Sequence, residues 1–243
     1  MGHLYNLLND LVIANRILAN EKVVDALGHV SVRHPDRADR FFLSCSRSPE
    51  LVTLNDIMEF DLDCNPIDQR GRPMYFERPI HGALYQARPD VMSVIHNHAY
   101  EVIPYSLTKT KLRACVHPAC AIGEDVPTWD IRDKFGDTNM LVTTLDQGHD
   151  LAKCLGKGHA ALMRGHGCVV SGHTVKEAVL TAIYLKVNAM LQTEASRLGE
   201  VIYLTPGELA KASEVVMGEN AVTRMWDYWR FRAGMDNVAA PVG

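Results

Sequence analysis

The chain has 243 residues, 47% of them hydrophobic and 22% charged, with a formal net charge of -4. Length and composition suit a globular protein with a full core, and the acidic balance, with Lys and Arg scattered, argues against nucleic acid or a membrane surface as partner. No segment reaches the roughly 18 apolar residues of a membrane span, and Asn9, Asp10, Asn15 and Arg16 interrupt the N-terminal apolar run where a signal peptide needs continuity.

From Leu4 onward, apolar residues recur at three- and four-residue intervals (Leu7, Leu8, Leu11, Val12, Ile17, Leu18), which predicts an amphipathic helix over Leu4–Leu27, ended by Gly28. HVSVRH and RFFLSC follow as strands joined by the turn-forming PDRAD, and IMEFDLD alternates like a third. A short helix over 78–88 stops at the Arg88-Pro89 step, and VMSVIHNH then has the apolar run of a buried strand. Glu101–Leu107 reads as a helix, and a turn-rich stretch with Gly123, Pro127 and Gly136 leads to a strand near Asn139–Thr143. A helix over Asp146–Leu155 precedes HAALMRG and GCVVSG, placed like adjacent strands around Gly165-His166-Gly167.

The longest helical stretch has Thr174 as N-cap and Glu177 as its capping-box partner, and runs to about Leu198. Helices from Pro206 and from Ala221 close the chain, the last carrying Trp226, Tyr228 and Trp229 as a packing stripe. No Gly/Ser-rich, Pro-rich or single-sign stretch divides the middle, so residues 1–243 read as one domain with 200–243 as a C-terminal helical tail. Strands joined mostly by turns, with helices at both ends, predict an α/β fold built on a mixed or antiparallel sheet. The six cysteines form no CxxC pair, so reduced thiols in a cytoplasmic protein are expected.

The chemistry is carried by four residues that are individually weak signals. On a strand, residues two apart share a face, so His96 and His98 can offer ring nitrogens to one ion while Asn97 faces away. His166 stands between two glycines, where the backbone can turn sharply and approach a ligand closely, and a third protein ligand leaves a coordination position for water or substrate. Glu77 precedes Arg78-Pro79 and the helix that leads to the histidine pair.

The stretch ERPIHGALYQARPDVMSVIHNHAY, with MRGHG further along, closely resembles the class II aldolase/adducin family, over nearly the whole chain from the first helix to about Leu198. The resemblance implies a three-layer α/β/α fold around a largely antiparallel sheet, assembled as a homotetramer with sites near subunit interfaces. It implies one divalent metal ion per subunit held by His96, His98 and His166, with Glu77 as the catalytic acid/base. Such ligands suit Zn2+ or Mn2+, with Fe2+ or Co2+ as further options.

Sugar-phosphate aldolases of this family hold the substrate phosphate with small polar groups, and the matching places here are altered. They read Gly28-His29, a Ser44-Cys45-Ser46-Arg47-Ser48 turn, and Met74-Tyr75-Phe76, where Tyr75 keeps a single donor. Arg47 adds a forked cation suited to a carboxylate, and His117 occupies the neighbourhood of a second proton donor, a tyrosine in many aldolases. These departures, with GHVSVR, LSxSRSPELV and RGHG, resemble the family's decarboxylase branch. The expectation is a carboxy-lyase acting on a hydroxylated aromatic or pyridine carboxylic acid. Carbon-carbon cleavage would leave a carbanion delocalised as an enolate, with His29, Ser44, Ser46 and Arg47 binding substrate, and Glu77 and His117 in catalysis. A sugar-phosphate aldolase, a dehydratase of the same family, and a non-catalytic module like the adducin head stand as alternatives. The head lacks the metal-binding histidines.

Overall fold

The structure, a computed structural model, describes residues 2–235. Helix α1 spans Gly2–Asn20 and buries Leu11, Ile13, Ile17 and Leu18. It ends seven residues before the expected Leu27. Lys22 takes a left-handed φ of 57°, and the Val23 N–H reaches back to the Leu18 carbonyl, the bond pattern that closes helices in a left-handed residue. The buried Val23 and Val24 prolong the apolar rhythm past this turn, which is why periodicity alone overran the end.

Among the described residues, seven strands form one sheet in the order β3-β2-β1-β4-β7-β6-β5. They are β1 (His29–Arg33), β2 (Arg40–Ser44), β3 (Ile57–Asp61), β4 (Ser93–Asn97), β5 (Thr128–Trp129), β6 (Ala160–Met163) and β7 (Gly167–Gly172). Every pairing is antiparallel except β5 on β6. The largely antiparallel sheet was legible beforehand; the two-residue edge strand β5 is too short to leave a pattern.

Alternation along the strands divides the core into two layers. Val30, Val32, Phe42, Ile95, Leu162 and Val170 pack on the side of α1 and α6 (Val175–Leu198). Phe41, Leu43, Met58, Val94, Ala161 and Val169 pack on the opposite side with Ile80 and Leu84 of α2 (Arg78–Ala87) and Leu151 of α5 (Leu145–Leu155). Short helices α3 (Ile103–Ser106) and α4 (Arg132–Phe135) lie in the connections, and α7 (Pro206–Val216) and α8 (Glu219–Arg232) form the helical tail. Trp226 and Trp229 are buried in it, whereas Tyr228 faces solvent. The expected tail runs to 243, and its residues 236–243 lie outside the described residues. No described helix is long and apolar enough to cross a membrane.

Two local expectations are corrected. Residues 139–143 are not a strand, because their backbone donors go to side chains. The Leu141 N–H bonds Asn139, that of Val142 bonds Glu77, and that of Thr143 bonds Gln147. At the start of α6, Thr174 caps the Glu177 N–H, but the Glu177 carboxylate takes the N–H of His173 rather than closing a box on Thr174.

Candidate metal centre

Glu77 is the N-cap of α2, with Pro79 inside the first turn presetting the helical φ. The helix N-terminus favours its negative charge. Val94 and His96 project toward α2 and α5 while Ile95 packs on the α1/α6 side, so the strand period delivers His96 and His98 to the layer that holds Glu77. β7 pairs with β4, and the turn before it brings in His166. Gly165 occupies that turn with a left-handed φ of 64°. A Cβ on Gly167 would lie 2.1 Å from the Asn97 carbonyl oxygen and 2.8 Å from the His98 ring. Gly167→Ala therefore has to part β7 from β4 at the site. We expect it to cost ~1–3 kcal/mol or more and to reduce bound metal, as read by urea denaturation and by metal content of the purified variant.

One ligand atom from each of Glu77, His96, His98 and His166 falls within 4.8 Å of all the others. Nε2 of His96 lies 2.9 Å from Nε2 of His98, and Glu77 Oε2 is 3.4 Å from His96 Nε2 and 3.5 Å from His166 Nε2. The outer ring atoms explain why these nitrogens converge. His96 Nδ1 is 3.1 Å from the Cys168 carbonyl, and His166 Nδ1 is 3.0 Å from the Met140 carbonyl. A carbonyl only accepts, so both Nδ1 atoms carry the proton and both Nε2 lone pairs point inward. Carbonyl-fixed tautomers of this kind are how ligating histidines are oriented. Lone pairs and a carboxylate facing one another at these distances repel unless a cation lies among them, so the donor set fits one divalent ion.

Burial opposes ionisation of Glu77, but positive charge placed among His96 and His166 outweighs it and holds the carboxyl well below the usual range, and a cation held by the inward Nε2 atoms would supply that charge. Its Oε1 accepts the Val142 N–H at 3.0 Å, leaving Oε2 toward the histidines. Burial, with His96 and His166 alongside, lowers His98 to about 4.

A cavity of about 370 Å3 opens beside the cluster, lined by His29, Ser46, Arg47, Tyr75, Phe76, Glu77, His98 and Leu141 among others. It brings together most of the sequence-derived site. His29, Ser46 and Arg47 reach the cavity, and buried Ser44 stands behind Tyr75, Oγ to phenol oxygen 3.2 Å. The Tyr75 hydroxyl donates to the Arg47 carbonyl and accepts the Arg47 N–H, so it ties the 44–48 turn together and is not a free donor for substrate. Arg47 is partly engaged too, its Nε 2.8 Å from the Leu51 carbonyl and 3.5 Å from Asp56. His117 is exposed at the start of a 3-10 helix, His117–Ile122, that packs on α6 and α7 and does not line this cavity. Within this chain, then, His117 is not brought to Glu77.

Sequence reading missed what lies behind His29. His81, Ser31 and Tyr85 are buried there, His29 Nδ1 being 2.6 Å from His81 Nε2. The available signal was the i, i+4, i+8 stripe of Glu77, His81 and Tyr85 on α2, facing the i, i+2 pair His29 and Ser31 on β1. Burial, with His96 adding repulsion, lowers His81 to about 3. A histidine held neutral in the fold but titrating near 6.5 when unfolded gives stability that is present above pH 6.5 and lost as pH falls toward 3. Up to about 1.4 kcal/mol per pH unit is at stake in that window. Urea denaturation between pH 7 and pH 4 should show His81→Gln with a shallower pH dependence than the parent, by close to one proton; an equal slope would exclude His81 as the source.

Comparison with known proteins agrees with the constellation. Residues 9–193 match the family described as Class II Aldolase and Adducin N-terminal domain. The chain belongs to this family. It is 34% identical to "Decarboxylase tropJ" of Talaromyces stipitatus over 88% of each chain. It is 27% identical to a 3,4-dihydroxyphthalate decarboxylase of Arthrobacter keyseri, over 78% of each. Among solved structures, an L-fuculose 1-phosphate aldolase from Glaciozyma antarctica superposes with a TM-score of 0.78 at 24% identity, covering 95% of this chain and 89% of that one. The structural likeness shows the class II aldolase fold, while the named sequence relatives are decarboxylases.

Proposed function

We propose that this class II aldolase family member is a metal-dependent carboxy-lyase for a hydroxylated aromatic or pyridine carboxylic acid. The observation that carries the reading is the pairing of the Glu77/His96/His98/His166 cluster with a cavity whose aldolase-type phosphate groups are replaced or spent. Tyr75 is consumed inside the 44–48 turn, and the position after Gly28 is an imidazole. That the relatives at 34% and 27% identity are named decarboxylases supports the same choice.

His96, His98 and His166 would hold the ion, whose Lewis acidity lowers the energy of negative charge on a neighbouring substrate oxygen. Glu77, kept ionised, is prepared to act first as a base. It takes the proton of the substrate's ring hydroxyl and returns it to the carbon that bears the carboxylate. The bond from that carbon to the carboxylate then breaks, its electron pair flows into the ring toward the hydroxyl oxygen, and CO2 leaves. The products are CO2 and a phenolate, so charge and protons balance. His29 and, through whatever part of its guanidinium Asp56 leaves free, Arg47 orient the carboxylate. Ser46 lines the same wall and Ser44 steadies Tyr75.

Exposed Leu27, Phe76 and Tyr100 near the cavity and its histidines support assembly as a homotetramer with sites near subunit boundaries. His117, exposed on its own chain, would reach a site only across such a boundary. Purified protein loaded with Zn2+ or Mn2+ should release CO2 from an ortho-hydroxy aromatic diacid. Retro-aldol cleavage of a phosphorylated ketose, with no CO2 from any hydroxy acid, would replace this reading with the aldolase one.

A further inference from the structure

Behind His29 runs an unbroken line of buried polar contacts. Tyr85 Oη is 2.7 Å from Ser31 Oγ, Ser31 Oγ is 2.6 Å from His81 Nδ1, and His81 Nε2 is 2.6 Å from His29 Nδ1. All four residues are 3% exposed or less. Among the described residues, the other hydrogen-bonding group at the phenol oxygen is the Val94 amide, which can only donate. Ser31 Oγ is therefore the sole acceptor open to the Tyr85 proton, and a buried hydroxyl proton without an acceptor is strongly disfavoured.

That one constraint sets every bond after it. Tyr85 donates to Ser31, and the buried Ser31 proton in turn needs an acceptor, which among the described residues is His81 Nδ1, so Ser31 donates onward to it. His81, neutral and accepting at Nδ1, carries its proton on Nε2 and donates to His29 Nδ1. His29 is then protonated on Nε2, the atom with no hydrogen-bond partner among the described residues, on a ring that lines the cavity beside Glu77 and His98. In the opposite direction the tyrosine proton would be orphaned, and His29 would turn a bare lone pair to the substrate.

We propose that Tyr85, Ser31 and His81 are positioning residues whose fixed hydrogen-bond direction makes His29 an obligatory N–H donor to the cavity, where it binds the substrate carboxylate. The donor direction stands on the geometry above; its assignment to a carboxylate, rather than another oxyanion such as a phosphate, rests on the function proposed above. The alternation of His29 and Ser31 on β1 against His81 and Tyr85 on α2 places the device between the sheet and the helix that also carries Glu77. The same hydrogen-bonded anchor fixes the angle of the His29 ring, which packs against Tyr75 at 4.5 Å between centroids with the planes tilted by 44°.

The test has two readouts on the Zn2+-loaded protein. Long-range 1H–15N correlation spectra of histidine-labelled protein, assigned with His29→Gln and His81→Gln, should show the proton of His29 on Nε2. In Tyr85→Phe, and in Ser31→Ala as a second way to cut the line, His29 should shift toward the Nδ1 form. A parent His29 protonated on Nδ1, or tautomers unmoved by both variants, would overturn the relay. This readout needs no substrate, so it fails separately from the decarboxylase reading.

Calorimetry supplies the second readout with salicylate, catechol and phenyl phosphate as probes. Salicylate affinity should fall roughly tenfold in Tyr85→Phe while catechol, which lacks the carboxylate, binds as before. Equal losses for salicylate and catechol would mean a merely structural role and would overturn the proposal. A loss confined to phenyl phosphate would overturn the carboxylate assignment.

Discussion

Glu77→Gln is expected to lower the rate of CO2 release by about 10²–10⁴-fold while one divalent ion per chain stays bound. Glutamine preserves the shape and can still accept the Val142 N–H, so the α2 N-terminus and the 139–143 segment should keep their places. What it removes is the carboxylate oxygen that sits 3.4 Å and 3.5 Å from two imidazoles. An amide neither takes a proton from a ring hydroxyl nor returns one to carbon. Single-turnover measurement of CO2 alongside metal analysis of the same sample decides the matter. Near-normal turnover would remove the proton role, and loss of the ion would make Glu77 a ligand first.

Removal of the ion should have the largest effect of all, abolishing CO2 release and lowering the thermal midpoint. The three Nε2 atoms and the carboxylate converge because backbone carbonyls and β-strand geometry hold them there, with or without a cation. Stripping the cation leaves that repulsion uncompensated. A ligand present at a hundred times its dissociation constant stabilises by about 2.7 kcal/mol, which for a chain of this size is roughly 5–10 °C. Chelation followed by dialysis, then return of Zn2+ or Mn2+, should show loss and recovery of both activity and midpoint together. Full activity in protein proven free of metal would refute the proposed chemistry. His96→Ala should imitate the stripped protein irreversibly, because it deletes the most buried ligand of the set.

The Glu77/His96/His98/His166 cluster was legible because each of its members rests on a local rule. Strand alternation makes His96 and His98 neighbours, and glycines free the backbone around His166. The proline-marked helix start set Glu77 at its N-cap. Element types were legible for the same reason, since apolar periodicity reports which face of a segment is buried. Pattern fails where side chains, near or distant in sequence, claim the groups that a strand or a substrate was expected to take. The stretch 139–143 looks like a strand, but its amides are claimed by Glu77, Asn139 and Gln147, and among the described residues no strand pairs with it. Tyr75 looked like a donor left for a phosphate, but the 44–48 turn takes it up.

From the sequence by itself came the family, the order of elements, and the four residues able to hold and serve a divalent ion. Those follow from spacing along the chain, which covalent geometry converts into shared faces of strands and helices. Only the tertiary structure decided which way the groups point. The carbonyls of Cys168 and Met140 choose the tautomers of His96 and His166. Packing of α2 on β1 turns His29, Ser31, His81 and Tyr85 from scattered polar residues into one line of donors. A hydrogen bond's direction depends on every partner within 3 Å or so, and for a buried group those partners come from segments that the sequence separates by dozens of residues.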